Sequence, residues 1–210
     1  MIAALGVKIL RLKRQITDNA APFTGVDAIR QTEGLGNPMG FLPVTDEFRH
    51  VALEDVYGAG VDIAIALDPA VTELYEDGKY KLLRDGKSLS SEEMVAYWAD
   101  WVKKYPIVSI EDGMSEDDWS GWQLMMKTMG EKILLIGDDH LVTNVDRIKR
   151  AITERSCNAL LCKVNQIGTL TESIAAVRMS HKAGWSVAVS HRSGETEDTT
   201  IADLAVALNT

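Results

Sequence analysis

Five short apolar runs, each ending in polar or charged residues, constrain the fold of this chain more than any other feature. In chain order they occupy residues 62–68 (DIAIALD), 106–112 (PIVSIED), 133–139 (ILLIGDD), 159–165 (ALLCKVN) and 186–193 (SVAVSHRS). Nearly continuous apolar runs of this length are typical of strands that are covered on both faces, as in a parallel sheet. Helical patterns alternate with the runs, so the sequence predicts a βαβα series.

Helix-start signals fall between these runs. Four hydroxyl residues precede an acidic residue by three positions, which is the spacing of a capping box: Ser90, Ser115, Thr143 and Thr169. The signal is stronger at Ser90 and Thr169, where the acidic residue is a glutamate. Gly184 predicts the end of the helix that follows Thr169, and residues 76–78 (EDG) predict a hairpin-like insertion before the second run.

Composition narrows the class of protein. The chain has 210 residues, of which 46% are apolar and 25% charged, so a globular fold is expected, yet it is shorter than the roughly 250 residues of a complete eight-stranded α/β barrel. A net charge of -9 repels nucleic acid and anionic membranes. No apolar run approaches a membrane span, and Cys157 and Cys162 suit a reducing compartment. We therefore predict a cytoplasmic protein with no nucleic-acid or membrane partner.

The amino-terminal part differs from the rest. Residues 1–17 are basic and apolar and predict a strand or a short helix, without the longer apolar core and cleavage site of a signal peptide. Residues 18–60 are rich in Gly, Pro, Asn and Asp and show weak periodicity. We interpret residues 1–60 as a loosely structured leader and residues 61–210 as the main domain.

The chemistry is expected where the runs end. One ionisable residue lies at the carboxyl end of each run, in the order Asp68, Glu111, Asp138, Lys163 and His191, and the successive separations are 43, 27, 25 and 28 residues. A βα unit takes about 30 residues or more, so this spacing allows one such residue per strand. Ligands of α/β sheets and barrels bind at the carboxyl face, and the five side chains should therefore converge on one pocket.

Three carboxylates at the end of a dry sheet repel one another and should protonate or bind a hard cation. Mg²⁺ fits Asp68, Glu111 and Asp138 better than Zn²⁺, because no thiol- or histidine-rich ligand pattern is present. Alternatively, each acid alone could cap the following helix.

Lys163 lies within an apolar run, where burial favours the neutral amine, which is a base. Alternatively, the side chain extends its ammonium group to solvent.

The last run ends in a potential anion site. Residues 190–194 (SHRSG) offer an arginine fork, a hydroxyl and a flexible turn, which together suit a phosphate in an otherwise acidic protein. His191 alone could equally be a core histidine with satisfied hydrogen bonds.

Residues 62–208 resemble the enolase (phosphopyruvate hydratase) family. The shared strings are ALDPA, GKYKL, YPIVSIED, DDW, GDD, VTN, KVNQIGT and SHRSGETEDTTIADL. The resemblance implies a TIM-type (β/α) barrel with parallel strands. It is incomplete here, since the last strand and the family's N-terminal α+β domain are lacking. It also implies a cytoplasmic, homo-oligomeric lyase that reversibly dehydrates 2-phosphoglycerate to phosphoenolpyruvate in glycolysis.

The resemblance also assigns roles to the residues at the ends of the runs. Asp68, Glu111 and Asp138 would be the Mg²⁺ ligands, and Lys163 would be the base that removes the proton beside the substrate carboxylate. The substrate would be held by Lys163 together with the residues of the SHRS string, His191, Arg192 and Ser193, of which His191 would also take part in catalysis.

Departures from the family predict impaired activity. The family's general acid is the Glu of a GDEGGFAP motif, whereas the nearest match here, residues 36–43 (GNPMGFLP), has Pro38 at that position. The strand with the GQIKTG motif, which carries a second active-site lysine in the family, is absent. A noncatalytic enolase-like module for binding or assembly is therefore an alternative, and a related enzyme for another acid is a less favoured one. His140 and Cys162 differ from the family without obvious new chemistry.

Overall fold

The computed structural model describes residues 6–11, 63–83 and 85–210, and for residues 6–11 and Ile63 it describes the backbone alone. Within these residues, six strands form the main sheet in the spatial order β1 (Gly6–Arg11), β2 (Ile63–Asp68), β6 (Ile107–Glu111), β7 (Leu134–Gly137), β8 (Ala159–Cys162) and β9 (Ser186–Val189). A second sheet consists of β3 (Tyr75–Glu76), β4 (Lys79–Leu82) and β5 (Lys87–Leu89).

Helices separate the strands of the main sheet. The α-helices are α1 (Ser91–Lys104), α2 (Trp119–Met129), α3 (Val145–Glu154), α4 (Val164–Ile167), α5 (Leu170–Lys182) and α6 (Thr200–Leu208), and a 3-10 helix spans Val71–Leu74. None of the helices in the described part of the chain is both long and apolar enough to cross a membrane.

The five strands from β2 to β9 in the main sheet are parallel and lie side by side in chain order. This arrangement confirms the predicted βαβα series and an incomplete TIM-type barrel. Strand β1 pairs with β2 in the antiparallel direction, with Gly6 opposite Asp68 and Arg11 opposite Ile63. Of the two alternatives for residues 1–17, the strand is therefore the one observed at residues 6–11. The loosely structured segment predicted for residues 18–60 lies outside the described residues.

The core fills the space between the parallel strands and the helices. Fully buried residues of β6, β7 and β8 are Ile110, Leu135 and Leu160, and Trp98 of α1 and Trp122 of α2 pack into the same cluster. All residues of β8 are buried, on both faces of the sheet, which explains why this run is apolar throughout.

Two of the predicted helix starts are confirmed. The Ser90 hydroxyl accepts the backbone N–H of Glu93, whose carboxylate accepts the backbone N–H of Ser90, so α1 begins with a complete capping box. The Thr169 hydroxyl accepts the N–H of Glu172 at the start of α5. That helix ends at Lys182, and Gly184 follows with a φ of +77°, as its position predicts.

The other two starts differ from the prediction. Helix α2 begins after Asp118, whose carboxylate accepts the N–H of Gly121, and not after Ser115. Helix α3 begins after Asn144, which accepts two backbone N–H groups through its side-chain oxygen. The Thr143 hydroxyl accepts the backbone N–H of Lys163 instead of an N–H of this helix.

The insertion predicted at residues 76–78 is the turn of the β3–β4 hairpin. Asp77 and Gly78 have φ values of +53° and +75°, the pattern of the tight turn that suits the twist of paired strands. The hairpin places Tyr80 in the core, where its hydroxyl donates to Asp118 Oδ2 at 2.8 Å and accepts the N–H of Ser115 at 3.0 Å. These two hydrogen bonds connect the small sheet to the loop that leads into α2.

Candidate active site at the carboxyl ends of the strands

Two of the predicted site residues are in direct contact. Asp138 follows β7 and Lys163 follows β8, and these strands are parallel neighbours. The Lys163 ammonium donates to Asp138 Oδ2, forming an ion pair in which the side chains are only 17% and 10% exposed. The predicted convergence of strand ends is thus observed for this pair.

Asp112, which the sequence analysis did not single out, organises the loop after β7. Its two carboxylate oxygens accept the backbone N–H groups of Asp138 at 3.0 Å and Asp139 at 2.9 Å. Burial raises the pKa of Asp112 well above its usual range, although these two hydrogen bonds act in the opposite direction. Asp112 has a φ of +46°, a conformation that aspartate tolerates better than most residues. The only signal in the sequence was a second acid directly after Glu111.

The carboxylate of Asp112 and the two carboxylates of this loop form a compact acidic group. One oxygen from each of Asp112, Asp138 and Asp139 lies within 4.8 Å of the others. Burial raises the pKa of Asp139, and the charges of Asp138 and Asp68 raise it further, whereas Lys163 and Arg192 lower it. The electrostatic environment of Asp139 therefore includes residues from the ends of β2, β7 and β8 and from the loop after β9.

The predicted metal ligands lie at the ends of three neighbouring strands. Asp68 is the last residue of β2, and Glu111 is the last residue of β6 and is buried. Neither belongs to the compact group that contains Asp138, so the shared cation of Asp68, Glu111 and Asp138 stays a prediction. Buried carboxylates at one rim form a donor set that suits a hard, oxygen-preferring cation such as Mg²⁺.

The predicted anion-binding residues lie on the loop after β9. His191, Arg192 and Ser193 are exposed, and the N–H of Ser190 donates to the Cys162 carbonyl at 2.9 Å, which extends the β8–β9 pairing to the start of the loop. Of the three residues, Arg192 contributes to the electrostatic environment of Asp139. The substrate-binding roles of all three stay predictions.

His140 has its own enclosed environment beside the acidic loop. It is fully buried, with its ring centroid 4.2 Å from that of Trp119 and 4.5 Å from that of Trp122, which it stacks upon. Its Nδ1 lies 2.9 Å from the Glu116 carbonyl oxygen, and its Nε2 lies 3.0 Å from Ser156 Oγ. Because a carbonyl only accepts, Nδ1 carries the proton and Nε2 accepts from the hydroxyl. The neutral ring thus joins three segments of the chain.

This environment predicts a pH-dependent loss of stability. Burial is the largest effect and lowers the pKa of His140 to about 4, opposed in part by the hydrogen bond to the Glu116 carbonyl. The charges of Arg147 and Arg150 lower the pKa further, and the charge of Asp117 raises it least. Between the unfolded value near 6.5 and the folded value, the unfolded chain binds the extra proton, so stability falls as pH falls. We expect a loss of about 2 kcal/mol between pH 7.5 and 5, measured by urea unfolding.

Two variants isolate this contribution. His140→Leu should show a smaller loss between the same two pH values, although it is less stable at both, because it leaves Ser156 without its ring partner. His181→Gln, at an exposed position near the end of α5, should keep the pH dependence of the unchanged chain. Equal pH dependence in all three proteins would show that His140 does not titrate as described.

Two comparisons with known proteins bear on this site. The sequence model described as enolase, C-terminal TIM barrel domain, matches residues 42–210. That match begins before the predicted boundary at residue 60, which stays a prediction. The protein named Enolase 1 from Methanospirillum hungatei is 54% identical over 184 residues, which cover 84% of this chain and 43% of the relative. The chain thus spans about two-fifths of the length of this curated relative. With the match covering nearly all of the described strands and helices, the chain belongs to the enolase family.

Proposed function

We propose that this chain carries the metal-binding and proton-abstracting part of an enolase-type lyase that acts on 2-phosphoglycerate. The observation that supports this most strongly is the contact between Lys163 and Asp138 at the ends of adjacent parallel strands. It places a potential base directly beside a predicted ligand of the metal. Membership of the enolase family supports the reaction class, and both the activity and the substrate are part of the proposal.

In the proposed reaction, the Lys163 ammonium first loses its proton to solvent, because only the neutral amine can act as a base. The amine then takes the proton from C2 of the substrate. The electron pair of that C–H bond then forms the C2–C3 double bond of phosphoenolpyruvate as hydroxide leaves C3. Arg192, with His191 and Ser193, would bind the phosphate, because a guanidinium fork matches phosphate oxygens. The exposed loop after β9 leaves these groups accessible to a substrate.

Asp68, Glu111 and Asp138 would hold Mg²⁺ at the same rim. When bound, the ion would supply positive charge beside the substrate carboxylate, where negative charge develops as the proton leaves. Asp112 contributes indirectly, because its hydrogen bonds to the N–H groups of Asp138 and Asp139 fix the backbone from which Asp138 projects.

We further propose that departure of hydroxide is slower than proton abstraction in this chain. Pro38 stands where the family's general acid is expected, and proline cannot protonate a leaving group. A general acid contributes about 10² to 10⁴-fold to a rate. The two steps can therefore be separated by measurement.

The test follows both steps in D₂O with Mg²⁺ and 2-phosphoglycerate. Mass spectrometry measures deuterium at C2, which reports proton abstraction, and ultraviolet absorbance measures phosphoenolpyruvate. We expect deuterium incorporation to exceed dehydration by about 10²-fold. Equal rates would contradict the loss of the general acid.

If the chain binds Mg²⁺ but incorporates no deuterium, the proposal of proton abstraction fails. That result would favour the alternative of a noncatalytic enolase-like module. The homo-oligomeric state and the cytoplasmic location implied by the family also stay proposals, which light scattering and cell fractionation would test.

A further inference from the structure

Four residues at the candidate site form a closed ring of hydrogen bonds. The backbone N–H of Lys163 donates to Thr143 Oγ1 at 3.0 Å, and the Thr143 hydroxyl donates to Gln166 Oε1 at 3.0 Å. Gln166 Nε2 donates to Asp138 Oδ1 at 3.4 Å, and the Lys163 ammonium closes the ring on Asp138 Oδ2. Thr143 thus contacts both the backbone of the proposed base and the amide that faces the proposed ligand.

The backbone at Thr143 is held in an unfavourable conformation. Val142 and Thr143 have φ values of +44° and +55°, in the left-handed region that β-branched residues rarely adopt. The preceding turn is fixed by the N–H groups of Leu141 and Val142, which donate to the Asp138 carbonyl at 3.1 and 2.7 Å. Strain of this kind persists only where the surrounding contacts impose it, and it concentrates at functional sites. Here its result is to bring the fully buried Thr143 hydroxyl to the end of β8.

The donors and acceptors of the ring determine how Gln166 is oriented. The Asp138 carboxylate can only accept, so the amide of Gln166 turns its NH₂ group towards it. The amide oxygen then faces Thr143, which must donate its single proton to that oxygen while it accepts from Lys163. The Thr143 hydroxyl is therefore the only group in the ring that both accepts the backbone N–H of Lys163 and orients the Gln166 amide.

We propose that Thr143 is a positioning residue, which holds the Lys163 backbone and orients Gln166 so that Asp138 presents one oxygen to Gln166 and the other to Lys163. This inference rests on the proposed function, in which Asp138 binds Mg²⁺ and Lys163 abstracts the proton. Thr143 acts on both through hydrogen bonds and does not touch the substrate.

The first test needs no metal. Thr143→Val keeps the shape of the side chain and removes the hydroxyl, whereas Thr143→Ser keeps the hydroxyl. Hydrogen exchange should show about tenfold faster exchange of the Lys163 N–H in Thr143→Val, and the side-chain NH₂ resonances of Gln166 should shift in the NMR spectrum. Both signals should be restored in Thr143→Ser. Thr153→Val, which removes an exposed hydroxyl from α3, is the matched control and should change neither.

The second test measures Mg²⁺ affinity by calorimetry. Thr143→Val and Gln166→Met should each raise the Kd for Mg²⁺ about tenfold. The double variant should have a Kd no higher than that of either single variant, because both substitutions break the hydrogen bond between Thr143 and Gln166. Additive increases in the Kd, or an unchanged exchange rate of the Lys163 N–H in Thr143→Val, would overturn the inference.

If Thr143→Val does not fold, the Kd values of Gln166→Met and Thr143→Ser decide the question: the Kd should rise in Gln166→Met and stay unchanged in Thr143→Ser. If the unchanged chain binds no Mg²⁺ while the exchange and NMR results are as expected, the proposed function fails and the positioning role stands.

Discussion

Replacing Lys163 with methionine should slow deuterium incorporation at C2 of 2-phosphoglycerate by about 10³-fold. Methionine has a similar length and an apolar stem, but it has no nitrogen to accept the proton. The three carboxylates of the predicted metal site are unchanged, so calorimetry should still detect Mg²⁺ binding. Slower deuterium incorporation together with retained Mg²⁺ binding would show that the base is lost while the metal site is intact.

Lys149→Met is the matched control for this prediction. Lys149 is exposed on α3, so the same substitution there should leave both deuterium incorporation and Mg²⁺ binding as in the unchanged chain. If Lys163→Met retains the original exchange rate, Lys163 is not the base and the proposed reaction loses its central residue.

Replacing Asp118 with asparagine should lower the free energy of unfolding by about 2–4 kcal/mol. The carboxylate of Asp118 accepts four hydrogen bonds, from the side chains of Tyr80, Ser91 and Ser120 and from the N–H of Gly121. Burial alone raises the pKa of Asp118, but these hydrogen bonds outweigh it and hold the pKa below its usual value. An asparagine would direct an NH₂ group towards two of the donors.

Urea unfolding at pH 7 measures this effect, and Asp117→Asn provides the control one residue away. The Asp117 side chain is 76% exposed, and its contact with Arg147 lies at 3.5 Å, so its replacement should change stability by less than about 0.5 kcal/mol. Similar losses in the two variants would show that the buried hydrogen bonds of Asp118 contribute little.

The parallel sheet and the contact between Asp138 and Lys163 could be predicted from the sequence for one physical reason. A strand buried on both faces must be apolar along most of its length, so the first charged residue marks the point where it leaves the core. The end of each apolar run therefore located a strand end to within a few residues, and parallel neighbours bring such ends to one rim.

The missed features depend on partners that are distant in the chain. Asp118 rather than Ser115 caps α2 while its carboxylate also receives hydrogen bonds from Tyr80 and Ser91, 38 and 27 positions away. Thr143 is diverted from capping α3 by the backbone of Lys163, 20 positions along the chain. The spacing of residues in the sequence does not show that a distant group also bonds to the same hydroxyl or carboxylate. The spacing therefore predicted the presence of these helices correctly but placed the starts of two of them at the wrong residue.

The antiparallel pairing of β1 with β2 has a consequence for the order in which the molecule assembles. Residues 69–106 form the longest segment between neighbouring parallel strands, whereas the longer segment 12–62 separates the two members of the β1–β2 pair. Pairing strands that are farther apart in the chain costs more chain entropy and slows the formation of the contact. The β1 edge should therefore be the last part of the sheet to form during refolding, which pulse-labelling of the backbone amides would detect.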